Sequence, residues 1–170
     1  MISYTIIPIK SEHDLRISQI IQAGGREFGA IGDGFGPSDS EVTAMSHHYP
    51  LNTRSGYFVA LTTNEELLGG AGIAPLGTYS DICELKKLYL LPEARGYGIG
   101  EALTRHCLTF AQQLHYRHTY LDTLSTMNAA IQLYKKLGFQ QLSAPLEGAT
   151  HSQCDIWMMK TLPNNNKIHA

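Results

Sequence analysis

Apolar positions repeat along this chain with two periods, and the switches between them mark out its elements. Alternation, the period of a half-buried strand, runs through Tyr4–Lys10. Pro8 sets that strand near an edge, because proline has no N–H to give to a ladder. Ser11 is a candidate helix cap with Asp14 as an acidic partner, and Leu15, Ile17, Ile20 and Ile21 follow at helical spacing. This first helix is expected to weaken at Gly24-Gly25. Four glycines in the nine residues Gly29–Pro37 then predict a flexible loop. Ser38 or Asp39 can cap a short second helix carrying Val42, Ala44 and Met45, which ends before His47-His48-Tyr49-Pro50.

Gly56–Thr62 reads as a strand, Asn64-Glu65-Glu66 as a hairpin turn and Leu67–Pro75 as the returning strand. Gly69-Gly70 and Gly72 within it point to a bulge or a close backbone approach. A turn at Gly77–Ser80 leads to a third antiparallel strand, the central one, with Leu85, Leu88, Tyr89, Leu90 and Leu91, stopped by Pro92. Beyond it a helix runs from Gly98 to about Tyr116, with Leu103, Cys107, Phe110 and Leu114 turned to the sheet. Thr119–Thr123 is a strand, and Met127–Leu137 a helix with Ala130, Leu133, Tyr134 and Leu137 in one stripe. Lys135 and Lys136 complement its C-terminal dipole and Gly138 takes the position past its end. Phe139–Leu142 and Gln153–Lys160 form a last pair of strands around a long loop, and Pro163–Ala170 is a tail expected to be disordered. No repeat interrupts the pattern, so residues 1–162 read as a single domain of mixed α/β (α+β) class.

Composition narrows the partners. The 170 residues are 43% hydrophobic and 16% charged, enough for one domain with a real core. A net charge of −2 supplies no basic field to hold a nucleic-acid backbone. No apolar run approaches the ~18 residues of a membrane span, and the N-terminus lacks the basic-then-apolar layout of a signal peptide. Cys83, Cys107 and Cys154 are too few and too scattered for a disulfide framework. A cytoplasmic protein without nucleic acid or membrane partners is the expectation.

The chemistry concentrates after the central strand, in Arg95-Gly96-Tyr97-Gly98-Ile99-Gly100-Glu101. Strand, glycine-rich turn and helix together aim several backbone N–H groups at one point beside the positive end of a helix dipole. Such a point holds an anion, most often a phosphate. No Gly-Lys-Ser/Thr follows, so the P-loop pattern fails, and the dinucleotide fingerprint would require glycine where Glu101 stands. What remains is R-x-x-G-x-G, on Arg95, Gly98 and Gly100.

That hexapeptide resembles the pyrophosphate-binding signature of the GNAT (GCN5-related N-acetyltransferase) superfamily, which uses acetyl-coenzyme A. A second motif lies at the family's separation: Asn128, Ile131, Tyr134, Gly138 and Phe139, spaced N-x-x-I-x-x-Y-x-x-x-G-F, resemble the family's second motif, with isoleucine where the family more often has alanine. The resemblance covers Glu84 to Phe139, and the first half fits in element order. It implies the GNAT fold, a mixed, mostly antiparallel sheet flanked by helices with a splayed central strand. It further implies that Leu88, Tyr89 and Leu90 face the pantetheine arm and that the amides of Gly96, Tyr97, Gly98, Ile99, Gly100 and Glu101 bind the pyrophosphate. Arg95 would stand at the lip of the turn, Asn128 would hydrogen-bond the cofactor, and Tyr134 would face its sulfur.

Acetyl transfer to an amine needs a base for the ammonium proton and an acid for the departing thiolate. Glu84 is the candidate base: alternation puts it on one face with Lys86, Leu88 and Leu90, and its place on the strand resembles that of the catalytic glutamate in family histone acetyltransferases. Burial would raise its pKa, and a water could relay the proton. Pairing with Lys86 or Lys87 is the plain structural alternative. Tyr134 is the candidate acid, compatible with a buried ring and a presented hydroxyl. His151, Cys154 and Asp155 cluster in the loop Gly148–Asp155, where the family often has its substrate mouth. H-x-x-C without a second ligand pair is a weak zinc signal, so no metal is expected. Arg26, His47 and His48 lie in the segment that forms the acceptor side in this family, and Arg26 could hold a carboxylate. The acceptor expected is the primary amine of a small molecule, such as an amino acid or related metabolite. The alternatives are a protein N-terminus or lysine, or a non-catalytic acyl-CoA sensor. The C-terminal edge strands leave a homodimer open.

Overall fold

The computed structural model describes residues 2–163, so most of the tail expected to be disordered lies outside the described residues. In chain order the elements are β1 (Tyr4–Pro8), α1 (Asp14–Phe28), α2 (Met45–His48), β2 (Gly56–Thr62), β3 (Leu67–Pro75), β4 (Ile82–Leu90), α3 (Ile99–Gln113), β5 (His118–Thr123), α4 (Asn128–Lys136), β6 (Gln140–Leu142) and β7 (Ile156–Thr161). The strands form one seven-stranded sheet in the order β1-β2-β3-β4-β5-β7-β6, with β4 in the middle. Every neighbouring pair is antiparallel except β4 and β5. This is the mixed, helix-flanked sheet expected, with β1 on the edge as Pro8 requires.

Two apolar layers cover the sheet. On one face Ile17, Ile20 and Ile21 of α1 pack with Val42, Met45, Tyr57 and Val59. On the other, Leu103, Cys107 and Ala111 of α3 and Tyr134 of α4 pack with Phe58, Ala60 and Leu85. Fully burying each of these aliphatic side chains contributes roughly 1.5–3 kcal/mol.

Four expectations about the first half are corrected. Ser11 does not cap α1: a 3₁₀ turn intervenes, and the Lys10 amide donates to His13 Nδ1 instead. Asp14 accepts from the Ser46 amide and hydroxyl, tying α1 to α2. Nor does α1 weaken at Gly24-Gly25; it runs on to Phe28. A Cβ on Gly24 would stand 2.4 Å from the Tyr89 ring and one on Gly25 2.6 Å from Pro37, so these glycines are there for close packing. The loop after α1 is also not a free strap, since Gly34 accepts a hydrogen bond from the Gln153 amide. Finally, the second helix starts late, and His47 and His48 lie inside it.

The glycines of β3 mark the irregularity expected of them. Gly70 pairs with Tyr89 and Gly72 with Lys86, so β4 carries one residue too many between them. Lys87 absorbs it with φ 53, a strained conformation for a side chain of this kind. The buried Tyr57 hydroxyl donates to the Lys87 carbonyl at 2.8 Å. Its ring fits only because Gly70 and Gly72 have no Cβ, which would come within 2.5 and 2.6 Å of it.

This bulge overturns the simple alternation along β4. Cys83, Leu85, Leu88 and Leu90 all pack toward α3, whereas Tyr89 packs toward α1. Lys86 and Lys87 both reach Glu41 and so share a face. Glu84 therefore stands with Lys86, Lys87 and Tyr89, and not with Leu88 and Leu90.

Candidate active site

The site begins where β4 and β5 part. They pair only at Ile82–His118, Cys83–Thr119 and Glu84–Tyr120, although both strands continue. Past Glu84 the strands diverge, which is the splay expected of the central strand. Two cavities meet in the opening. One is a groove of about 430 Å³ lined by Leu88, Tyr89, Leu90, Arg95, Gly96, Gly98–Glu101 and the α4 residues Ala129, Ala130, Gln132 and Leu133. The other is a cavity of about 60 Å³ whose walls include Glu84, Lys86, Lys87, Asp122, Tyr134, His151 and Cys154. Leu88, Tyr89 and Met127 belong to both, so the groove leads straight into the smaller space.

The mouth of the groove is made of backbone. Gly96 and Gly98 have φ 81 and 78, a left-handed turn that favours glycine, and it delivers the chain into α3. Among the described residues no backbone oxygen accepts the amides of Gly96 through Glu101, and the first bond of the helix is from Ala102 to Gly98. Six donors thus stand open at the positive end of a 15-residue helix, the arrangement that takes an anion. Arg95 is less free than its place in the motif suggests. It makes two hydrogen bonds of 2.7 Å to Glu27, and its guanidinium lies over the Phe28 ring. Glu101 turns its side chain away to Arg105 and Lys136.

The smaller cavity is made of charges drawn from four separate segments. His151, from the β6–β7 loop, bonds Asp122 of β5 at 2.8 Å and Asp39 at 3.0 Å, and lies 3.5 Å from Glu84. Burial opposes a charge on this imidazole, but the bonds to Asp122 and Asp39 outweigh it and lift its pKa to about 9. Asp39 also holds Lys87 at 2.8 Å. Burial would push the Asp39 carboxyl up, yet His151 and Lys87 hold it down at about 2. Glu41 takes Lys86, Lys87 and the Tyr49 hydroxyl.

Glu84 is the exception. It is 5% exposed, and burial, reinforced by the charge on Asp122, raises its carboxyl to about 7. A carboxylate poised near neutrality in a narrow space is what proton abstraction needs. Tyr134 lines the same cavity, and burial pushes its phenol upward, so it keeps its proton. Burial and then Asp122 likewise raise the Cys154 thiol, which is therefore no ready nucleophile. Glu84, Asp122 and His151 place ligand atoms within 4.8 Å of one another. That set could surround a divalent ion only by displacing the proton shared between His151 and Asp122.

The structure thus brings together Glu84, Tyr134, His151 and Cys154. It does not bring Asp155, which instead accepts from the Ser125 amide and hydroxyl. Asn128 is exposed and outside the residues lining either cavity, as is Tyr97, at 55% exposure. His47 and His48 are exposed on α2, and Arg26 lines a separate recess with Ser38, Asp39 and Thr43. Asp39, Glu41 and Asp122 went unmarked. Asp39 reads as an ordinary helix cap, and only Asp122, a carboxylate inside the apolar strand TYLDT, gives any local sign. No helix among the described residues is long and apolar enough to cross a membrane.

Known proteins resemble this chain in sequence and in fold. Residues 30–139 match the family described as "Acetyltransferase (GNAT) family". The chain is 33% identical over 149 residues to an uncharacterised N-acetyltransferase of Escherichia coli K12, YjgM, covering 86% of this chain and 87% of that one. Its fold is shared with a GNAT-family acetyltransferase from Staphylococcus aureus Mu50, at TM-score 0.81, 19% identity and coverage of 95% and 100% of the two chains. A phosphinothricin acetyltransferase from Sinorhizobium meliloti, in complex with acetyl-CoA, matches at TM-score 0.74 and 22% identity, covering 94% of this chain and 89% of that one.

Proposed function

The chain belongs to the GNAT acetyltransferase family, and from that premise we propose that it moves an acetyl group from acetyl-CoA to the primary amine of a small molecule. The observation that carries this reading is the run of six unengaged amides from Gly96 to Glu101 at the head of a groove that ends beside Glu84. The amides hold the pyrophosphate, Leu88–Leu90 line the pantetheine arm, and the thioester arrives where the groove meets the small cavity.

Transfer is direct. The acceptor enters as R–NH₃⁺ and gives one proton to the Glu84 carboxylate. The neutral nitrogen attacks the acetyl carbonyl, forming the C–N bond, and the C–S bond breaks. The Tyr134 hydroxyl passes its proton to the leaving sulfur and regains one as the nitrogen sheds its second. The proton on Glu84 leaves to solvent. Because burial makes Tyr134 a weaker acid than a free phenol, its transfer is concerted with C–S cleavage and leaves no free phenolate.

A narrow cavity of about 60 Å³ under the 29–37 loop favours a small acceptor over a lysine presented by a protein surface. The test is release of coenzyme A thiol over a panel of small amines and peptides. Amine-dependent thiol release, faster with free amines than with peptides, is the expected result. Coenzyme A uptake without turnover of any acceptor would leave a sensor, and no uptake at all in calorimetry would remove the acetyl donor.

A further inference from the structure

One polar atom of the small cavity has no assigned work. Asp122 is 4% exposed in its side chain, and its Oδ1 is fixed by His151, itself held from behind by Asp39. Its Oδ2 is buried and has no well-formed hydrogen bond among the described residues, the Cys154 thiol beside the carboxylate being a weak donor. A buried carboxylate oxygen without a donor is costly, and this one belongs to a wall shared with Glu84. Lys86 is committed to Glu41 and Lys87 to Asp39 and Glu41, while His151 meets Asp122 through Oδ1 and leaves Oδ2 untouched. With Glu84 ionised, the four carboxylates Asp39, Glu41, Glu84 and Asp122 face only the three cations Lys86, Lys87 and His151, so a cation from outside would balance the cluster and give Oδ2 its donor. The lining also includes the apolar side chains of Phe35, Pro37, Leu124 and Met127.

We propose that Asp122 Oδ2 is the seat of the acceptor's ammonium group, and that the acceptor is a primary amine carried on an apolar stem. This rests on the acetyltransferase reading and extends it to a residue and a substrate class. The ammonium donates one N–H to Asp122 Oδ2 and a second to Glu84. Once Glu84 has taken that proton, the bond to Asp122 remains and turns the nitrogen lone pair toward the groove. Asp122 orients the amine and moves no proton. The stem lies against the apolar side chains of the lining.

Asp122→Asn tests the seat through KM, since kcat also answers to the Asp122 charge that helps raise Glu84. The new amide oxygen still accepts from His151, so the cluster stays closed, while an NH₂ donor replaces the vacant oxygen and opposes an ammonium. Steady-state kinetics with pentylamine should show KM for the amine raised at least about tenfold, as expected when a charged partner is lost in a desolvated site. Affinity for coenzyme A, by calorimetry, should stay within about twofold. Wild-type enzyme should prefer pentylamine to ethanolamine by at least about tenfold in kcat/KM, the discrimination an apolar wall provides. An unchanged KM in Asp122→Asn, or equal use of the two amines, would overturn the proposal.

A binding measurement keeps the outcome separate from turnover. In protein loaded with coenzyme A, pentylammonium should bind at least about tenfold more tightly than 1-pentanol. Equal binding would overturn the seat even if acetylation occurs, and selective binding would support it even if pentylamine is not turned over. Stoichiometric Zn²⁺ uptake that Asp122→Asn abolishes, with KM for the amine unmoved, would assign the oxygen to a metal ion instead.

Discussion

The groove and the small cavity that it feeds are built by opposite means. The groove's anion-binding mouth is a run of consecutive backbone amides, and its requirements are local: two left-handed glycines and a helix beginning after them. The cavity is lined by side chains from Glu84–Lys87, Asp122 and His151, backed by Asp39 and Glu41, with bonded partners as far as 112 positions apart in sequence. A backbone site tolerates almost any side chain outside its glycines, whereas a side-chain site fails by one residue at a time. On the proposed function, the groove serves the acetyl donor and the cavity the acceptor.

The two sites should therefore break separately. Gly98→Val should do the most damage, because a β-branched residue at φ 78 costs roughly 1–2 kcal/mol of backbone strain and the relieved turn no longer aims its amides. Coenzyme A affinity should fall by about a hundredfold, read by calorimetry, with the fold kept by circular dichroism. Glu84→Gln should leave that affinity within about twofold and lower kcat/KM by about 10²–10⁴. In the wild type kcat/KM should fall as pH drops through about 7, where Glu84 becomes protonated; Glu84→Gln should lose this limb. A loss of coenzyme A binding in Glu84→Gln would merge the two sites and break the contrast.

The same division explains what could be read beforehand. Arg95, Gly98, Gly100, Asn128 and Tyr134 lie within contiguous motifs, so the fold, the splayed strand and the groove were legible from them. Counting twos along β4 puts Glu84 on a face with Leu88 and Leu90, and the count fails because Lys87 breaks it. The bulge was signalled only by glycines on the neighbouring strand. The partners of His151 could not be found by spacing at all, since Asp39 and Asp122 reach it through the tertiary fold. Asp155 looked like its neighbour and turned out to brace Ser125.

Between the two sites sits the bulge itself, and Tyr57→Phe loosens it. The substitution keeps the ring and deletes the hydroxyl, leaving the Lys87 carbonyl buried without its donor. Unfolding free energy should drop by roughly 1–3 kcal/mol, measured by urea titration. Because Lys87 anchors Asp39 and Glu41, KM for the acceptor should rise while coenzyme A affinity holds. Equal losses at both sites would mean that the bulge supports the groove as much as the cavity.

His151 gives a smaller, pH-dependent effect. Its pKa is raised in the folded protein from about 6.5 to about 9, so the folded state binds its proton more tightly than the unfolded chain does. The resulting stabilisation is complete below pH 6.5 and fades as pH rises through 9. His151→Gln should flatten stability over that window, comparing urea midpoints at pH 6 and 9.5. The carboxylates it faces, Asp39, Asp122 and Glu84, stay where they are, so a wild-type curve that is already flat would mean that the imidazole is neutral.

The least effect is expected at the groove's rim. Glu27 and Arg95 make a well-formed pair, but their side chains are 44% and 34% exposed, and exposed pairs are worth about 0–1 kcal/mol. Glu27→Gln should therefore leave the urea midpoint almost unmoved. Its use is to ask which site Arg95 serves. Released from Glu27, the guanidinium can turn toward the anion held by Gly96–Glu101, and coenzyme A should bind up to about threefold more tightly at low salt, an advantage that 0.5 M salt screens away. If affinity instead falls, Arg95 acts by being held in place, and the carboxylate on α1 belongs to the groove as surely as the glycines do.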